Sequence, residues 1–258
     1  MSAKAVFVSD LHLVSSDDEK TKTFVRFLTQ LLNETQSGSN ESLTHLFLVG
    51  DIFDLWVGAH DYFVDRFQDV VDVISRLVRA GVAVHYFEGN HDLHLTKFWK
   101  QVVGAQVHPD SGEFEINGLQ VRVEHGDLIN PDDSGYLFLR KFLRSKPMKF
   151  LSLNLPDRAV KAIGERASSA SRDYTSNAKG KPQEEIRSLI RTHAEQQFNQ
   201  KPFDLIITGH VHVVDDFSFK AGGKDVRSVN LGSWYDGPKA FVLDSKGPRF
   251  IEFAKETF

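Results

Sequence analysis

Residues 4–12 read Lys-Ala-Val-Phe-Val-Ser-Asp-Leu-His, an apolar run that ends at an acidic residue and a histidine. The β-branched and aromatic side chains of 4–8 predict a short buried strand. Asp10 and His12 lie two residues apart on the turn that follows, where both side chains can converge. Open α/β sheets bind ligands beyond the carboxyl ends of their strands. This stretch therefore predicts an α/β fold with a polar site at its first strand end.

Four more polar clusters follow predicted strands in the same way. They are Gly50-Asp51 after 46–49, Gly89-Asn90-His91-Asp92 after 82–87, His125-Gly126-Asp127 after 119–123, and Gly209-His210-Val211-His212 after 205–208. Each cluster contains a glycine, which lets the backbone turn tightly beside a ligand. One Asp-x-His pair alone would be weak evidence, but five clusters in this order predict one site assembled from five strand ends.

The sequence between these clusters predicts two mixed sheets flanked by helices. Apolar residues recur at helical spacing in 24–32 and 70–78, and a capping-box pattern, Ser16-x-x-Glu19, predicts the start of the first helix. Alternating runs predict hairpins around Asn117-Gly118 and Gly222-Gly223. The predicted fold class is α/β, a four-layer α/β/β/α sandwich of two mixed sheets.

Residues 131–202 interrupt the strand pattern with helical, basic sequence. They carry 14 basic and eight acidic side chains, whereas the rest of the chain carries 17 basic and 27 acidic ones. We expect a helical lid insert at 131–202 in one domain whose core is formed by 1–130 and 203–258. The lid could lie on an anionic membrane surface or form an apolar slot for acyl chains. The alternative is a lid packed on the core with a solvated basic face.

Composition narrows the classes of function. The 258 residues carry a formal net charge of −4, which disfavours general nucleic-acid binding. Because the chain has no cysteine, disulfides and thiolate metal sites are excluded, and a transition-metal site has to use His, Asp, Glu or Asn. No apolar run approaches the roughly 18 residues of a membrane span, and the first predicted strand begins too early for a signal peptide. We expect a cytoplasmic protein with no obligate protein partner.

The five clusters resemble the motifs of the calcineurin-like metallophosphoesterase superfamily, which run Asp-x-His, Gly-Asp, Gly-Asn-His-Asp/Glu, His and Gly-His-x-His. The resemblance implies two divalent metal ions, with Mn²⁺ expected and Fe²⁺ or Zn²⁺ as alternatives. It implies one ion held by Asp10, His12, Asp51 and His212, and the other held by Asp51, Asn90, His125 and His210. Asp51 would have to be a carboxylate because it bridges the two cations and shares its anionic charge between them.

The same resemblance implies a mechanism and two catalytic residues. Water activated by the metal pair would attack phosphorus in line, without a covalent intermediate. His91 occupies the general-acid position of the superfamily and would protonate the leaving oxygen. Asp92 is expected to orient His91.

A closer resemblance, over about the whole chain, is to the UDP-2,3-diacylglucosamine hydrolases of lipid A synthesis, which cleave a sugar-nucleotide pyrophosphate to UMP and a lipid-linked sugar phosphate. It is carried by Ser-Asp-Leu-His-Leu at 9–13, Gly-Asp-Ile-Phe-Asp-Leu-Trp at 50–56, Asp-Asp-x-Gly-Tyr at 132–136 and Leu-Gly-Ser-Trp at 231–234. It implies a lipid-linked sugar-nucleotide substrate and peripheral attachment to the cytoplasmic face of the inner membrane. The implied substrate contacts are Asn90, His91, Asp133, Tyr136, Ser169 and His210.

His91 is a departure from that closer family, whose best-known members have Arg at this position. Arg can stabilise a leaving phosphate but is a poor proton donor, whereas His can protonate an alkoxide. Two alternatives therefore stay open. One is a divergent metal-dependent phosphodiesterase or phosphatase that acts on a cyclic nucleotide, a nucleic acid or a phosphoprotein, and the other is a non-catalytic scaffold on the same fold.

The remaining histidines are expected to be structural. His45, His85, His108 and His193 lie outside the clusters and are predicted to be ordinary core or surface residues. His60 and His94 follow a cluster closely and could line the pocket, but ordinary loop roles are the prediction for both.

Overall fold

The computed structural model describes residues 3–38, 42–160, 162 and 182–253. The strands of these ranges are β1 (Lys4–Val8), β2 (Leu43–Leu48), β3 (Trp56–Val57), β4 (Ala83–Phe87), β5 (Asp92–Leu93), β6 (Gln106–His108), β7 (Ser111–Ile116), β8 (Leu119–Glu124), β9 (Leu205–Thr208), β10 (Val214–Ala221), β11 (Lys224–Leu231), β12 (Lys239–Asp244) and β13 (Gly247–Glu252). The helices are α1 (Glu19–Gln36), α2 (Asp61–Arg66), α3 (Gln68–Arg79), α4 (Ser134–Leu143), α5 (Lys146–Asn154) and α6 (Gln183–Gln200). A π-helical segment, Thr96–Val103, and a short 3₁₀ helix, Trp234–Asp236, complete them.

Two mixed sheets form the centre of the molecule. The first has the strand order β13-β12-β1-β2-β4-β6, and its β1, β2, β4 and β6 run parallel. The second has the order β10-β11-β9-β8-β7, with β8, β9 and β11 parallel and a hairpin at each edge. Because neighbouring parallel strands end at the same edge of a sheet, the polar clusters after β1, β2 and β4 are brought side by side, and so are those after β8 and β9.

Alternation of side chains along the strands creates the layers. In β1, Val6 and Val8 face α1 and α3, whereas Ala5 and Phe7 face the second sheet. The rings of Phe7 and Phe47 stack between the sheets with centroids 4.4 Å apart. α6 covers the far side of the second sheet through residues such as Phe198. The predicted four-layer α/β/β/α sandwich is therefore confirmed.

The capping box predicted for α1 is wrong. The helix is capped by Asp18, whose side chain accepts a hydrogen bond from Lys20 N. Ser16 Oγ instead donates to the main-chain carbonyl of Arg66 at 2.6 Å. That partner lies at the end of α2, so local spacing around α1 could not reveal it.

The insert predicted at 131–202 contains helices of two kinds. α4 and α5 contain no fully buried residue, whereas α6 buries Ile190, Ala194 and Phe198. We therefore use the name lid for α4 and α5 alone, while the domain boundaries at 130 and 203 stay predictions. None of the helices that the structure describes is long and apolar enough to cross a membrane.

Three histidines line one end of the space between the sheets. His85 Nε2 lies 3.4 Å from His45 Nδ1, and His85 Nδ1 lies 3.3 Å from His108 Nε2. The ring of His85 also stacks on Phe47 with a centroid distance of 4.6 Å. Burial, with smaller contributions from the two neighbouring imidazoles, lowers the pKa of His85 to about 3. His85 is thus a neutral core residue, as the sequence predicts.

We expect His85→Phe to flatten the acid side of the stability profile. An unfolded His titrates near 6.5 and the folded His85 near 3, so between these values the unfolded state binds more protons. The free energy of unfolding then falls as the pH falls, by at most about 1.4 kcal/mol per pH unit. Phe keeps the stacking on Phe47 and takes up no proton. Urea unfolding of the unmodified protein and of His85→Phe at about pH 7.5 and about pH 5 measures the difference. An equal decrease in the free energy of unfolding between these pH values in both proteins would contradict the prediction.

Candidate metal centre

The loops at the carboxyl ends of β1, β2, β4, β8 and β9 meet in one place, as the sequence predicts. Main-chain hydrogen bonds join them in pairs: Asp10 N to Gly50 O (3.2 Å), His12 N to Asp51 O (3.1 Å) and Gly209 N to His125 O (2.8 Å). The approach is so close that a Cβ on Gly209 would lie 2.4 Å from Asp10 Oδ2, and one on Gly89 would lie 2.2 Å from Asp51 Oδ1. Glycine is required at both positions because no side chain fits.

Five candidate ligands have a left-handed backbone conformation, which residues other than glycine seldom adopt. The φ angles are 53° at Asp10, 47° at His12, 51° at Asp51, 71° at His210 and 58° at His212. Each such residue costs about 1 to 3 kcal/mol and persists only where the surrounding structure holds it. Concentration of this strain on the predicted ligands marks the loops as functional.

The first group of candidate ligands consists of Asp10, His12 and His212. His12 Nε2 and His212 Nε2 lie 3.1 Å apart, and Asp10 Oδ1 lies 3.2 Å from His212 Nε2. This Oδ1 is buried without a hydrogen bond among the described residues, whereas Oδ2 accepts hydrogen bonds from Ser9 Oγ and His210 N. Two imidazole nitrogens and an unbonded buried carboxylate oxygen fit a divalent transition-metal ion.

The second group consists of Asp51, Asn90, His125 and His210. His125 Nδ1 donates to Val49 O at 2.9 Å, which leaves Nε2 as the nitrogen that faces the cluster, 3.3 Å from Asn90 Oδ1 and 3.6 Å from Asp51 Oδ2. His210 Nδ1 lies 2.9 Å from the same Asn90 oxygen. A ring nitrogen bonded to a main-chain carbonyl is the usual support of a metal-binding His. These residues also fit a divalent cation.

Asp51 connects the two groups. Its Oδ1 accepts hydrogen bonds from Asn90 N and His91 N, both at 2.9 Å. Among the described residues, Asp51 can join His12 and His91 in one set of converging ligand atoms, and His125 and His210 in another. The structure thus brings all seven predicted ligands together, with Asp51 between the two groups.

The charges of the cluster favour cation binding. Burial lowers the pKa of His12 to about 3 and that of His210 to about 4, so both rings are neutral at physiological pH. Burial alone would lower the pKa of His125, but the negative charge of Asp51 raises it to about 10. Burial would raise the pKa of Asp51, but the charges of His125 and His91 hold it well below its ordinary value. A cation bound by His125 would replace its proton, because a ligand imidazole has to be neutral.

His91 lies at the edge of the cluster, where its ring packs against that of His12 with centroids 4.9 Å apart. Its Nδ1 donates to the main-chain carbonyl of Asp54 at 2.8 Å. This bond fixes the orientation of the ring.

Asp92, which the sequence predicts to orient His91, makes its hydrogen bonds to the neighbouring loops. The fully buried carboxylate of Asp92 accepts four hydrogen bonds of 2.8 to 3.0 Å, and its donors are Asp51 N, Ile52 N, Gly89 N and the hydroxyl of Tyr86. All four donors lie on the loop after β2 or on β4 and the turn that follows it. Asp92 therefore fixes the loops that present Asp51 and Asn90, and the main-chain carbonyl of Asp54 accepts a hydrogen bond from His91.

The predicted substrate contacts on the lid lie in different environments. Tyr136 places its ring 5.3 Å from that of His210 and donates its hydroxyl to Asp127 Oδ2 at 3.1 Å. Asp133 caps α4, where its Oδ1 accepts a hydrogen bond from Tyr136 N at 2.9 Å. Ser169 lies outside the residues that the structure describes.

Two residues beside the centre were missed by the sequence reasoning. The ring of Tyr235 stacks on that of His12 with centroids 5.5 Å apart and 17° between the planes. Lys20 Nζ lies 4.6 Å from the centre of the Tyr235 ring and donates to the carbonyls of Leu11 and His12. Tyr235 directly follows the quoted Leu-Gly-Ser-Trp motif, which was an available signal. Lys20 is one of several charges at the start of α1, and no local pattern distinguishes it.

His60 holds the lid instead of lining the centre. Its Nε2 lies 2.8 Å from the carbonyl oxygen of Ser152 at the end of α5, and its Nδ1 lies 3.2 Å from Asp157 Oδ1. His94 has a left-handed backbone conformation and a hydrogen bond to the main chain of Leu143 in α4. The ordinary loop roles predicted for these residues thus include anchoring α4 and α5.

Several known proteins are similar to this chain over nearly its whole length. A UDP-2,3-diacylglucosamine hydrolase of Stenotrophomonas maltophilia is 29% identical over 254 residues, which cover 97% of this chain and 99% of the relative. The protein of the same name from an Enterobacter species is 27% identical over 254 residues, which cover 96% of this chain and 98% of that protein. Among solved structures, an archaeal phosphodiesterase superposes with a TM-score of 0.45 at 15% identity, over 97% of this chain and 99% of that protein.

The calcineurin-like phosphoesterase family matches residues 3–214. This range contains β1 to β9, every candidate ligand from Asp10 to His212, and both lid helices. Because the match covers most of the chain and the predicted ligands converge, the chain belongs to the calcineurin-like phosphoesterase family of metal-dependent hydrolases.

Proposed function

We propose that the chain hydrolyses the pyrophosphate of UDP-2,3-diacylglucosamine to UMP and 2,3-diacylglucosamine 1-phosphate, a step of lipid A biosynthesis. The observation that carries the proposal is the lid beside the metal centre. Tyr136 of α4 contacts His210, while Phe138, Phe142 and Phe150 of the same lid are exposed. A phosphate-cleaving centre beside an apolar surface suits a substrate with a charged head and acyl chains. The relatives that carry this name align along nearly the whole chain.

The two ligand groups would each hold one divalent cation. We assign Asp10, His12, Asp51 and His212 to one cation, and Asp51, Asn90, His125 and His210 to the other. We propose Mn²⁺, with Fe²⁺ or Zn²⁺ as alternatives, because the set mixes imidazole nitrogens with carboxylate and amide oxygens. Such a pair supplies a nucleophile from water at neutral pH and stabilises charge on phosphoryl oxygens.

Residues of this chain would then position the substrate and protonate its leaving oxygen. Nε2 of His91 is the proton donor for the leaving oxygen, because Nδ1 is held by the carbonyl of Asp54. Asp92 acts through the loops of Asp51 and Asn90. Cleavage of a pyrophosphate needs this proton less than cleavage of an alkyl ester does, since a phosphate is already a good leaving group.

The substrate contacts are proposed on both sides of the centre. Asn90, His91 and His210 would contact the scissile phosphates, and Tyr136, whose ring lies 5.3 Å from that of His210, would border the opening toward the lid. Asp133 acts by capping α4 and so fixing Tyr136, and Ser169 is proposed on the resemblance alone. The substrate is a lipid-linked sugar nucleotide.

The lid supplies the apolar contact. Phe138 and Phe150 each expose 73% of their surface, and Lys146 and Lys149 are exposed beside Phe150. Exposed aromatic residues flanked by cations favour a surface that carries both acyl chains and anionic headgroups. We therefore propose peripheral attachment to the cytoplasmic face of the inner membrane.

Turnover of UDP-2,3-diacylglucosamine by Mn²⁺-loaded protein in H₂¹⁸O is the direct measurement of the proposed activity. We expect release of UMP, with ¹⁸O on the attacked phosphorus, at a much higher kcat/KM than for bis-p-nitrophenyl phosphate. Mass spectrometry identifies both products. Failure on the lipid together with rapid hydrolysis of the soluble diester would refute the substrate and favour another phosphodiesterase activity.

We expect His91→Ala to affect two reactions unequally. Hydrolysis of a diester with an alkoxide leaving group should fall by about 100-fold or more, the usual contribution of a general acid, whereas pyrophosphate cleavage should fall less. Asp51→Asn should abolish both reactions because it removes the carboxylate shared by the two ligand groups. Rate measurements on both substrates make the comparison, and an equal, negligible effect of His91→Ala would remove the general-acid assignment.

Replacement of Phe138, Phe142 and Phe150 by Ser should weaken binding to vesicles that contain anionic lipid. Each buried aromatic side chain contributes about 1.5 to 3 kcal/mol, so the loss should exceed tenfold. Val102→Ser is the matched control, because Val102 is 70% exposed but belongs to the Thr96–Val103 segment and not to α4 or α5. Vesicle sedimentation measures binding, and thermal unfolding confirms that the variants are folded. Equal losses in variant and control would refute a specific lid contact.

A further inference from the structure

The C-terminal part of α4 contacts two loops of the candidate metal centre at once. Arg140 Nε donates to Asp127 Oδ2 at 2.6 Å, and Arg140 Nη2 donates to Asp110 Oδ1 at 2.8 Å. Asp127 is buried and lies two residues after His125. Arg140 is thereby tied to the loop that presents His125.

Arg144, which follows the last turn of α4, reaches the loop that presents Asn90. Its Nη2 lies 3.2 Å from Glu88 O and 3.3 Å from Gly89 O, and its Nη1 donates to Pro109 O at 2.5 Å. Nη1 also lies 3.6 Å from Glu88 Oε2, and the Arg144 side chain is only 15% exposed. Glu88 and Gly89 directly precede Asn90, so the guanidinium is bonded to the main chain that sets the position of this ligand.

We propose that Arg144, with Arg140, forms a clamp through which α4 supports the second metal position. The proposal rests on the ligand assignment made above, in which Asn90 and His125 belong to the same cation. The two loops are presented by β4 of the first sheet and β8 of the second. α4 joins them from outside the sandwich. Arg144 and Arg140 are positioning residues, since they act through the loops.

Asn90 is the ligand most dependent on such support. As a neutral amide it attracts a cation less strongly than a carboxylate does, so its contribution depends on where its oxygen is held. From inside, its loop is fixed by Asp51, which accepts from Asn90 N, and by Asp92, which accepts from Gly89 N. From outside, the loop is fixed by the planar fork of Arg144, which bonds several carbonyl oxygens at once.

The clamp implies mutual stabilisation of bound metal and docked lid. Binding free energies are reciprocal, so if the docking of α4 favours metal binding, bound metal favours the docking of α4 by the same factor. In other proteins, loss of a residue that supports a metal ligand commonly lowers the metal affinity by roughly 10- to 100-fold. An effect restricted to one of two metal positions would distinguish this role from general stabilisation.

The test is calorimetric titration of the metal-free full-length protein with Mn²⁺. We expect two sites in the unmodified protein, and in Arg144→Gln one site weakened about tenfold or more with the other unchanged. Arg144→Lys should recover part of the loss, because an ammonium can still donate to carbonyl oxygens. Lys141→Gln, which removes an exposed cation from the same helix, should leave both Mn²⁺ affinities unchanged.

Hydrogen exchange of α4 supplies the reciprocal measurement. Mn²⁺ should slow exchange in α4 of the unmodified protein and of Lys141→Gln, and this protection should be reduced in Arg144→Gln. Fewer than two Mn²⁺ sites in the unmodified protein would refute the ligand assignment itself. Two normal sites in Arg144→Gln, or an equal weakening of both, would overturn the clamp and leave that assignment in place.

Discussion

The buried carboxylate of Asp51 is the contact on which the rest of the centre depends. One of its oxygens accepts the main-chain amides of Asn90 and His91, and the other faces His125. A carboxylate at this depth is tolerated only when hydrogen bonds and opposite charge compensate its desolvation. The same bonds align the loop after β4 with the loop after β2. The group that stabilises the loops is thus also the group that a pair of cations would share.

Support for this arrangement comes from polar residues that take no direct part in it. Asp92 ties the loops of Asp51 and Asn90 together from within the first sheet, and Asp54 fixes His91 through a main-chain carbonyl. These bonds hold backbone conformations that would otherwise be unfavourable, because left-handed residues relax when nothing restrains them. The strain is therefore a property of the assembled site, and its energetic cost is offset by contacts elsewhere in the loops.

The lid links this centre to the surface of the molecule. α4 carries Tyr136 toward His210 on its inner side and exposes Phe138 on its outer side, so under the proposed function one short helix would meet both the polar and the apolar part of the substrate. Arg140 and Arg144 connect the same helix to the loops of the centre. His91 stands where the resemblance to the closer family implies an Arg, and under the proposed function it would supply a proton donor beside the metal centre.

The sequence by itself determined the α/β/β/α fold class, because strand periodicity is a local pattern. Its polar clusters at strand ends also contain the seven residues that the structure brings together, and the family resemblance implies that these residues are metal ligands. It did not determine which atoms those clusters contact. The capping of α1 by Asp18, the four bonds of Asp92 and the contacts of Lys20 and Tyr235 join residues whose spacing in the chain carries no signal. Left-handed φ angles at ligands such as Asp10 were equally hidden, since no local propensity favours them at these residues. Only the packing of two sheets brings these groups together, and long-range hydrogen bonds then decide the role of each.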